Sequence, residues 1–308
     1  MNQYFKRMKI LIIGSKGFIG SHAVKHFSNL PNFDCWSCDV VVDYNDNKYF
    51  VLDSTNSDFN EIFEQVKFDV CINCSGAASV PDSLLHPLRD FMLNTHNVAK
   101  MLEAIRKHVP HCKFINLSSA AVYGNPVQLP IMEEQDSRPV SPYGNHKWYA
   151  EEICREYGNY FNVKSCSLRI FSAYGPGLKK QLLWDIAQKS KAGNLKLYGT
   201  GNETRDFIYV EDIVSCLEII IHKGEFLPSS VYNIANGEPV RIKDIAETLL
   251  FALNFQGDLS FSGEERLGDP IHWQADITKI KALGYRSSFS IQNGVIRFVK
   301  WLQEEKLL

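Results

Sequence analysis

The chain has 308 residues, of which 45% are hydrophobic, and this is enough for a large buried core with a second, smaller domain. Its 33 basic and 35 acidic residues nearly balance without a basic stripe, so we expect no nucleic-acid partner. The first apolar run ends at Gly14, too early for a secretory core or a membrane span, which favours a cytoplasmic protein without a membrane partner.

Short apolar strands alternate with amphipathic helices along the first half of the chain. The pattern predicts strands at 9–13, 34–42, 49–52, 68–74, 112–118 and 163–170, and helices at 57–66, 88–108 and 142–157. This alternation is typical of an α/β fold with a doubly wound parallel sheet. Proline and glycine interrupt it after residue 170, so we expect one domain over 1–172, joined again by 207–235, and a smaller mixed domain over 173–308.

A glycine-rich turn, GSKGFIG, joins the first strand to the first helix. Gly14, Gly17 and Gly20 would let the backbone turn tightly and approach a pyrophosphate, as in Rossmann domains. Asp39 closes the second strand nineteen residues after Gly20. A carboxylate there accepts hydrogen bonds from the ribose hydroxyls of adenosine and repels a 2′-phosphate, so the pattern predicts NAD rather than NADP.

Two further carboxylates are candidates for the same cofactor site. Asp43 competes with Asp39, and either residue could instead stabilise a loop. Asp53 closes the strand YFVLD, where its side chain could hold the adenine amino group. The alternative for Asp53 is a carboxylate at the N-terminus of the next helix.

Two CxxC pairs, Cys35/Cys38 and Cys71/Cys74, raise the question of a zinc site. Each pair falls inside a predicted strand, where residues three apart point to opposite faces of the sheet. Structural zinc sites normally use loops or knuckles. We therefore predict no metal site.

Tyr143 and Lys147 in SPYGNHKWYAEE lie four residues apart, on one face of a predicted helix. A phenol ionises at about pH 10, so base catalysis near neutral pH requires a lower pKa, which the charge of Lys147 and a nicotinamide cation would provide. Ser119 lies 24 residues before Tyr143, at the carboxyl end of a predicted strand, where doubly wound folds bind their ligands. The three residues together predict a catalytic group with a base, its activator and a positioned hydroxyl.

These motifs, in their order, resemble the extended short-chain dehydrogenases/reductases, and among them the NAD-dependent epimerase/dehydratase family typified by UDP-galactose 4-epimerase. The motifs are the glycine turn, SSAAVYG, PYGNHK, LRIFSAYGPG, TRDFIYVED and RLGDP, and they span nearly the whole chain. The resemblance implies NAD bound by residues 1–172 and a nucleotide-sugar substrate bound by 173–308. It also implies a homodimer through the helices at 88–108 and 142–157.

The resemblance further implies roles for single residues. Tyr143 would be the acid/base, Lys147 would bind the nicotinamide ribose, and Ser119 would bind a sugar hydroxyl. Guanidinium groups hold phosphates well, although surface arginines also form ordinary ion pairs. The implied nucleotide-sugar ligands are Ser172, Arg205, Arg266 and Asp269, and the remaining cofactor contacts are Phe18, Ile19, Ser54, Cys74, Gly76, Asn94 and Phe171.

The residues after Ser119 distinguish between reactions within this family. Members that dehydrate the sugar often carry Asp-Glu there, whereas this chain has Ala120 and Ala121, which cannot transfer a proton. We therefore expect C4 epimerisation: Tyr143 takes a proton from the sugar while its carbon gives hydride to NAD⁺, and the keto sugar is reduced on its other face. A 4-keto nucleotide-sugar reductase using NAD(P)H stays open as the main alternative. A dehydratase and a non-catalytic NAD-binding protein are the less favoured ones.

Three features differ from the usual epimerase pattern. Ser172 stands in place of a substrate-binding asparagine, and Ala78 stands in place of a lysine near the cofactor. The stretch LKKQLLWDIAQK after YGPG also differs, in the region that would hold the sugar and the base. The nucleotide therefore stays open among UDP, TDP, GDP and CDP.

Overall fold

A central sheet of seven parallel strands organises the described residues, which are 7–264 and 271–308 of the computed structural model. The strands of the chain are β1 Met8–Ile13, β2 Phe33–Asp39, β3 Tyr49–Val51, β4 Val70–Asn73, β5 Lys113–Ser119, β6 Ser165–Ile170, β7 Ser172–Tyr174, β8 Leu195–Leu197, β9 Thr204–Tyr209, β10 Val231–Ile234, β11 Pro239–Arg241 and β12 Leu259–Phe261. The central sheet has the order β10-β6-β5-β4-β1-β2-β3. This confirms the predicted doubly wound α/β fold.

Helices connect the strands and cover both faces of the sheet. They are α1 Phe18–Ser28, α2 Asn60–Gln65, α3 Val80–Leu85, α4 Pro87–Phe91, α5 Asn97–His108, α6 Pro142–Phe161, α7 Gln181–Lys189, α8 Val210–Lys223, α9 Ile242–Ala252, α10 Thr278–Ala282 and α11 Ile291–Glu304. Short 3₁₀ helices occur at Ala120–Tyr123 and Ser190–Ala192. Within the described ranges, no helix is both long and apolar enough to cross a bilayer.

The central strands are buried on both faces, which explains why the sequence shows continuous apolar runs there rather than alternation. In β1, Ile10 and Ile12 pack in the layer that contains α1 and α8. Leu11 and Ile13 pack in the opposite layer, which contains α2, α5 and α6. The sheet is therefore held between two helical layers, and its carboxyl edge stays available for a site.

The two CxxC pairs divide between these same layers. Cys35 and Cys74 pack against the first layer, whereas Cys38 and Cys71 lie in the second. The two thiols of each pair therefore lie on opposite faces of the sheet, and they act as small apolar side chains in the core. Among the described residues, no three His, Cys, Asp or Glu side chains are grouped to hold a metal ion.

Two smaller sheets follow the sixth strand. β7 pairs with β9, β9 pairs with β11 in the antiparallel sense, and β8 pairs with β12, while α7, α9 and α11 pack against them. After β9 the chain returns to the central sheet, because α8 packs beside α1 and β10 pairs with β6. The exact limits of the two domains, 1–172 with 207–235 and 173–308, stay a prediction.

The region predicted as one helix over 88–108 is interrupted. α4 ends at Phe91, a π-helical turn spans Met92–His96, and α5 begins at Asn97. A π-helical turn adds a residue without ending the helix, so the apolar spacing of the sequence continues through it. Such turns are frequent at functional sites, and this one carries Asn94.

Candidate active site

The glycine turn after β1 has no room for side chains. Gly14 has a φ of +78°, and a Cβ atom there would lie 2.6 Å from the backbone nitrogen of Ser75. A Cβ atom on Gly20 would lie 2.0 Å from the Gly14 carbonyl oxygen. Gly17 precedes α1, whose first residues are Phe18 and Ile19, and no described side chain caps this helix. The turn therefore presents bare backbone and a helix N-terminus, as phosphate binding requires.

Asp39 lies directly beside this turn. Its carboxylate accepts hydrogen bonds from the backbone of Lys16, at 2.8 Å, and of Val40, at 2.8 Å. Asp43 reaches the turn only through the Lys16 side chain, whose Nζ lies 2.5 Å from the Asp43 carboxylate, and this hydrogen bond lowers the pKa of Asp43. Asp39 is thus the better placed of the two candidates for a ribose.

Asp53 and Ser54 lie at the same edge of the sheet, since Val51 pairs with Asp39. Asp53 accepts hydrogen bonds from the backbone nitrogen and hydroxyl of Thr55, at 2.8 and 2.7 Å, and the backbone bond lowers its pKa. The helix N-terminus that was the alternative for Asp53 lies instead beside Asp58, five residues later. The Asp58 carboxylate accepts from the backbone nitrogen of Asn60, the first residue of α2, at 2.9 Å.

Gly76, Asn94 and Lys147 meet beyond the end of β4. Gly76 has a φ of +112°, and a Cβ atom there would lie 2.4 Å from Asn94 Oδ1 and 3.5 Å from Lys147 Nζ. Asn94 is buried, and neither atom of its side-chain amide has a hydrogen-bond partner among the described residues. Cys74 precedes this group and donates its backbone N–H to Ile13, at 2.9 Å. A buried, partnerless amide beside a glycine cradle suits a polar ligand.

Tyr143, Ser119 and Lys147 come together at the carboxyl end of β5. Tyr143 lies in the first turn of α6, and its phenol is a hydrogen-bond partner of the Ser119 hydroxyl. Lys147, one turn later, donates from Nζ to the Leu117 carbonyl oxygen at 2.9 Å. The buried hydroxyl of Ser83 accepts from the Tyr143 backbone nitrogen at 3.1 Å and fixes the start of the helix. The arrangement can move a proton at the Tyr143 oxygen.

Burial has the largest effect on the pKa of the Tyr143 phenol. Burial raises the pKa of Tyr143 to about 12, against the lowering effect of the Ser119 hydrogen bond, and the charge of Asp90 raises it further. Burial also lowers the pKa of Lys147 to about 8. The prediction that Lys147 and a nicotinamide cation together lower the pKa of Tyr143 stays a prediction. Within the protein, burial outweighs the hydrogen bond from Ser119.

The residues predicted to hold the nucleotide sugar lie partly within the described structure. Phe171 is buried against Trp273, with ring centroids 5.8 Å apart, and Ser172 begins β7 next to it. The Arg205 guanidinium lies over the Trp273 ring at 5.6 Å and donates to the carbonyl oxygens of Thr204 and Ile271. This brings Arg205 to the end of β6. Arg266 and Asp269 lie outside the described residues.

Sequence reasoning missed several residues around this site. Lys180 directly precedes α7. Desolvation lowers the pKa of the Lys180 ammonium, although the side chain as a whole is exposed. The charge of Lys180 in turn lowers the pKa of Lys147. The doubled lysine after YGPG was the available signal. Asp90 and His146 form a buried pair beside Tyr143 and Lys147, and neither residue belongs to a recognisable motif.

A relative and two solved structures match almost the whole chain. A putative UDP-glucose 4-epimerase from Methanocaldococcus jannaschii is 28% identical over 307 residues, which cover 96% of this chain and 98% of the relative. The chain is also similar to the structure of a UDP-glucuronic acid 4-epimerase from Bacillus cereus in complex with UDP-glucuronic acid and NAD. The TM-score is 0.87 at 24% identity, and the match covers 97% of this chain and 100% of that one. The UDP-N-acetylglucosamine 4-epimerase from Methanobrevibacter ruminantium gives a TM-score of 0.86 at 24% identity, covering 97% and 99%.

The match to a family model agrees with the motifs. The model of the NAD dependent epimerase/dehydratase family matches residues 10–235, from the first strand of the central sheet to just after its last one. The resemblance inferred from the glycine turn, Ser119 and the Tyr143–Lys147 pair is thereby confirmed. The chain belongs to the NAD dependent epimerase/dehydratase family.

Proposed function

We propose that this protein is an NAD-dependent epimerase that inverts C4 of the sugar in a UDP-sugar. The observation that carries the proposal is the meeting of Tyr143, Ser119 and Lys147 at one sheet edge, beside a glycine turn that has no room for side chains. The names of the similar epimerases support UDP as the nucleotide. Ala120 and Ala121 support epimerisation over dehydration, because neither can act as an acid or a base.

The residues of the site fit a dinucleotide. Gly14 and Gly20 allow the pyrophosphate to approach the backbone, and Asp39 is placed for the adenosine ribose. The Asn94 amide and the Lys147 ammonium would bind the nicotinamide half. Bound NAD⁺ supplies the hydride acceptor for C4, and its positive charge would lower the pKa of Tyr143.

The protein side chains handle the proton. Ser119 holds the C4 hydroxyl, and Tyr143 takes its proton as C4 becomes a carbonyl carbon. Lys147 stabilises the negative phenolate oxygen. After the keto sugar turns its other face, C4 regains a hydride on that face and Tyr143 returns the proton to the oxygen. The sugar is therefore released at its original oxidation level. Arg205 and Lys180 would meet the negative diphosphate.

The proposal is tested with purified protein and four separate substrates: UDP-glucose, UDP-galactose, UDP-glucuronic acid and UDP-N-acetylglucosamine. We expect at least one of them to convert to its C4 epimer without net consumption of nicotinamide. Mass analysis of small molecules released from the protein is expected to show NAD. Net oxidation of NADPH with a 4-keto sugar, without epimerisation of any of the four, would overturn the proposal in favour of a reductase.

We also propose that the protein is a cytoplasmic homodimer. The eight cysteines are all free, which suits a reducing compartment. Large apolar side chains are exposed on α3, α4 and α6, among them Leu85, Leu88 and Tyr160, which are 74%, 73% and 77% exposed. A second copy would cover such a surface.

A further inference from the structure

A buried acid lies next to the catalytic group and takes no part in the mechanism described above. Asp90, on α4, is 3% exposed. Its Oδ1 atom lies 2.6 Å from Nδ1 of His146, which is also buried. Its Oδ2 atom is buried and has no hydrogen-bond partner in the described part of the chain. A buried carboxylate with one oxygen unpaired is costly and calls for an explanation.

His146 joins three parts of the site. It directly precedes Lys147 on α6, and its carbonyl oxygen accepts from the Thr95 hydroxyl at 2.9 Å. Thr95 follows Asn94 in the π-helical turn. The His146 ring packs edge-on against Phe91, with centroids 5.5 Å apart. The pair therefore fixes Asp90 relative to both the nicotinamide side of the site and Lys147.

Lys147 is surrounded by few charges. On its own helix, Glu151 lies one turn later, but Arg169 binds both oxygens of Glu151, at distances of 2.8 to 3.2 Å. From the start of α7, Lys180 contributes a like charge, and from the end of β4, the thiol of Cys74 lies close by. Asp90 is the carboxylate that acts on both Lys147 and Tyr143 and that no described arginine neutralises.

We propose that Asp90, held by His146, is a positioning residue that keeps Lys147 in its ammonium form at neutral pH. The inference rests on the proposed function only in so far as Lys147 serves catalysis. Burial lowers the pKa of Lys147 to about 8, and Asp90 opposes this shift. Asp90 also raises the pKa of Tyr143. Removal of its charge therefore lowers both pKa values.

Asp90→Asn tests the proposal because it removes the charge and keeps the shape. We expect both limbs of the pH profile of kcat to move to lower pH, by on the order of one unit. Asp82→Asn is the matched control, since Asp82 is an acid on the preceding helix whose partner, Arg89, lies on the surface. Its profile should match that of the wild type.

A second readout does not depend on turnover. The pH dependence of acetylation of Lys147 by acetic anhydride, followed by peptide mass spectrometry, reports the ionisation of this lysine directly. We expect the midpoint to fall in Asp90→Asn and to stay unchanged in Asp82→Asn. If Asp90→Asn does not fold, Asp90→Asn/His146→Gln replaces the pair by two hydrogen-bonded amides, and the same shift is expected.

An unchanged labelling midpoint in whichever of these variants folds would overturn the inference and leave Asp90 a purely structural residue. Absence of epimerisation in the wild type contradicts the proposed function instead. The two results are therefore read independently.

Discussion

At the scale of single residues, Tyr143 meets two opposing demands. It must lie in a site that excludes water, yet burial favours the protonated phenol and raises its pKa to about 12. The hydrogen bond with the Ser119 hydroxyl lowers this pKa. The activity of this residue therefore depends on its partners more than on its own position.

Tyr143→Phe should separate catalysis from cofactor binding. The variant keeps the ring and the start of α6 but removes the hydroxyl that bonds with Ser119. We expect kcat for UDP-sugar epimerisation to fall roughly 100- to 10,000-fold, while the amount of NAD that co-purifies stays the same. Single-turnover kinetics and release of bound nucleotides measure the two effects. Retention of more than a tenth of the activity would show that another group carries the proton.

Site residues could be predicted from the sequence where a suitable residue type stands at the end of a predicted strand. Gly14 follows a parallel strand, and Asp39 and Ser119 end two others. The carboxyl ends of such strands share one edge, so the common edge of these residues could be predicted. The Asp90–His146 contact could not, because the two residues lie 56 positions apart on separate helices. Neither helix position carries a periodic signal. Arg266 and Asp269 stay predictions.

At the scale of elements, α6 is capped just before its catalytic turn and fixed to the sheet after it. The Ser141 hydroxyl caps the helix by accepting from the Gly144 nitrogen, at 3.1 Å. Two turns later, Glu151 forms a buried ion pair with Arg169 of β6 and also accepts from Ser118. Tyr143 and Lys147 lie between the cap and the ion pair, so a shift of the helix along the sheet would break the contacts of Glu151.

Glu151→Gln should loosen this attachment. It leaves the Arg169 guanidinium buried with its counter-charge removed, and breaking such a pair costs about 3–5 kcal/mol. We expect a lower midpoint in urea unfolding with an unchanged slope. Glu152→Gln is the control, because Glu152 pairs with Arg155 on the surface, where a pair contributes about 0–1 kcal/mol. Equal losses in the two variants would contradict a special role of the buried pair.

The elements themselves were predicted with two kinds of error. The strand predicted over 34–42 ends at Asp39, and Val40, Val41 and Val42 lie exposed in the following loop, since apolar residues alone do not show where a strand loses its partner. The π-helical turn at Met92–His96 was missed because its apolar spacing resembles that of an α-helix. Both errors fall beside the cofactor site.

At the scale of the whole molecule, the exposed apolar side chains of α3, α4 and α6 lead to a prediction about assembly. Leu88→Glu places a charge among them and should convert the proposed dimer to a monomer, as measured by light scattering coupled to size exclusion. Phe251→Glu is the control, because Phe251 is 86% exposed on α9, which packs with α7 and α11. A wild-type monomer, or a Leu88→Glu dimer, would exclude this interface.

β10 is synthesised well after its neighbour β6, and this order affects how the chain folds on the ribosome. β6 is complete at Ile170, but its neighbour β10 begins only at Val231. Until then one border of the central sheet is unpaired, and the apolar surface later covered by Ile213 and Leu217 of α8 faces water. Unpaired sheet edges of this kind can pair with strands of other chains and cause aggregation. A chaperone would therefore protect this protein most while the intervening sixty or so residues are synthesised. A product truncated at 172 would aggregate rather than form a smaller nucleotide-binding unit.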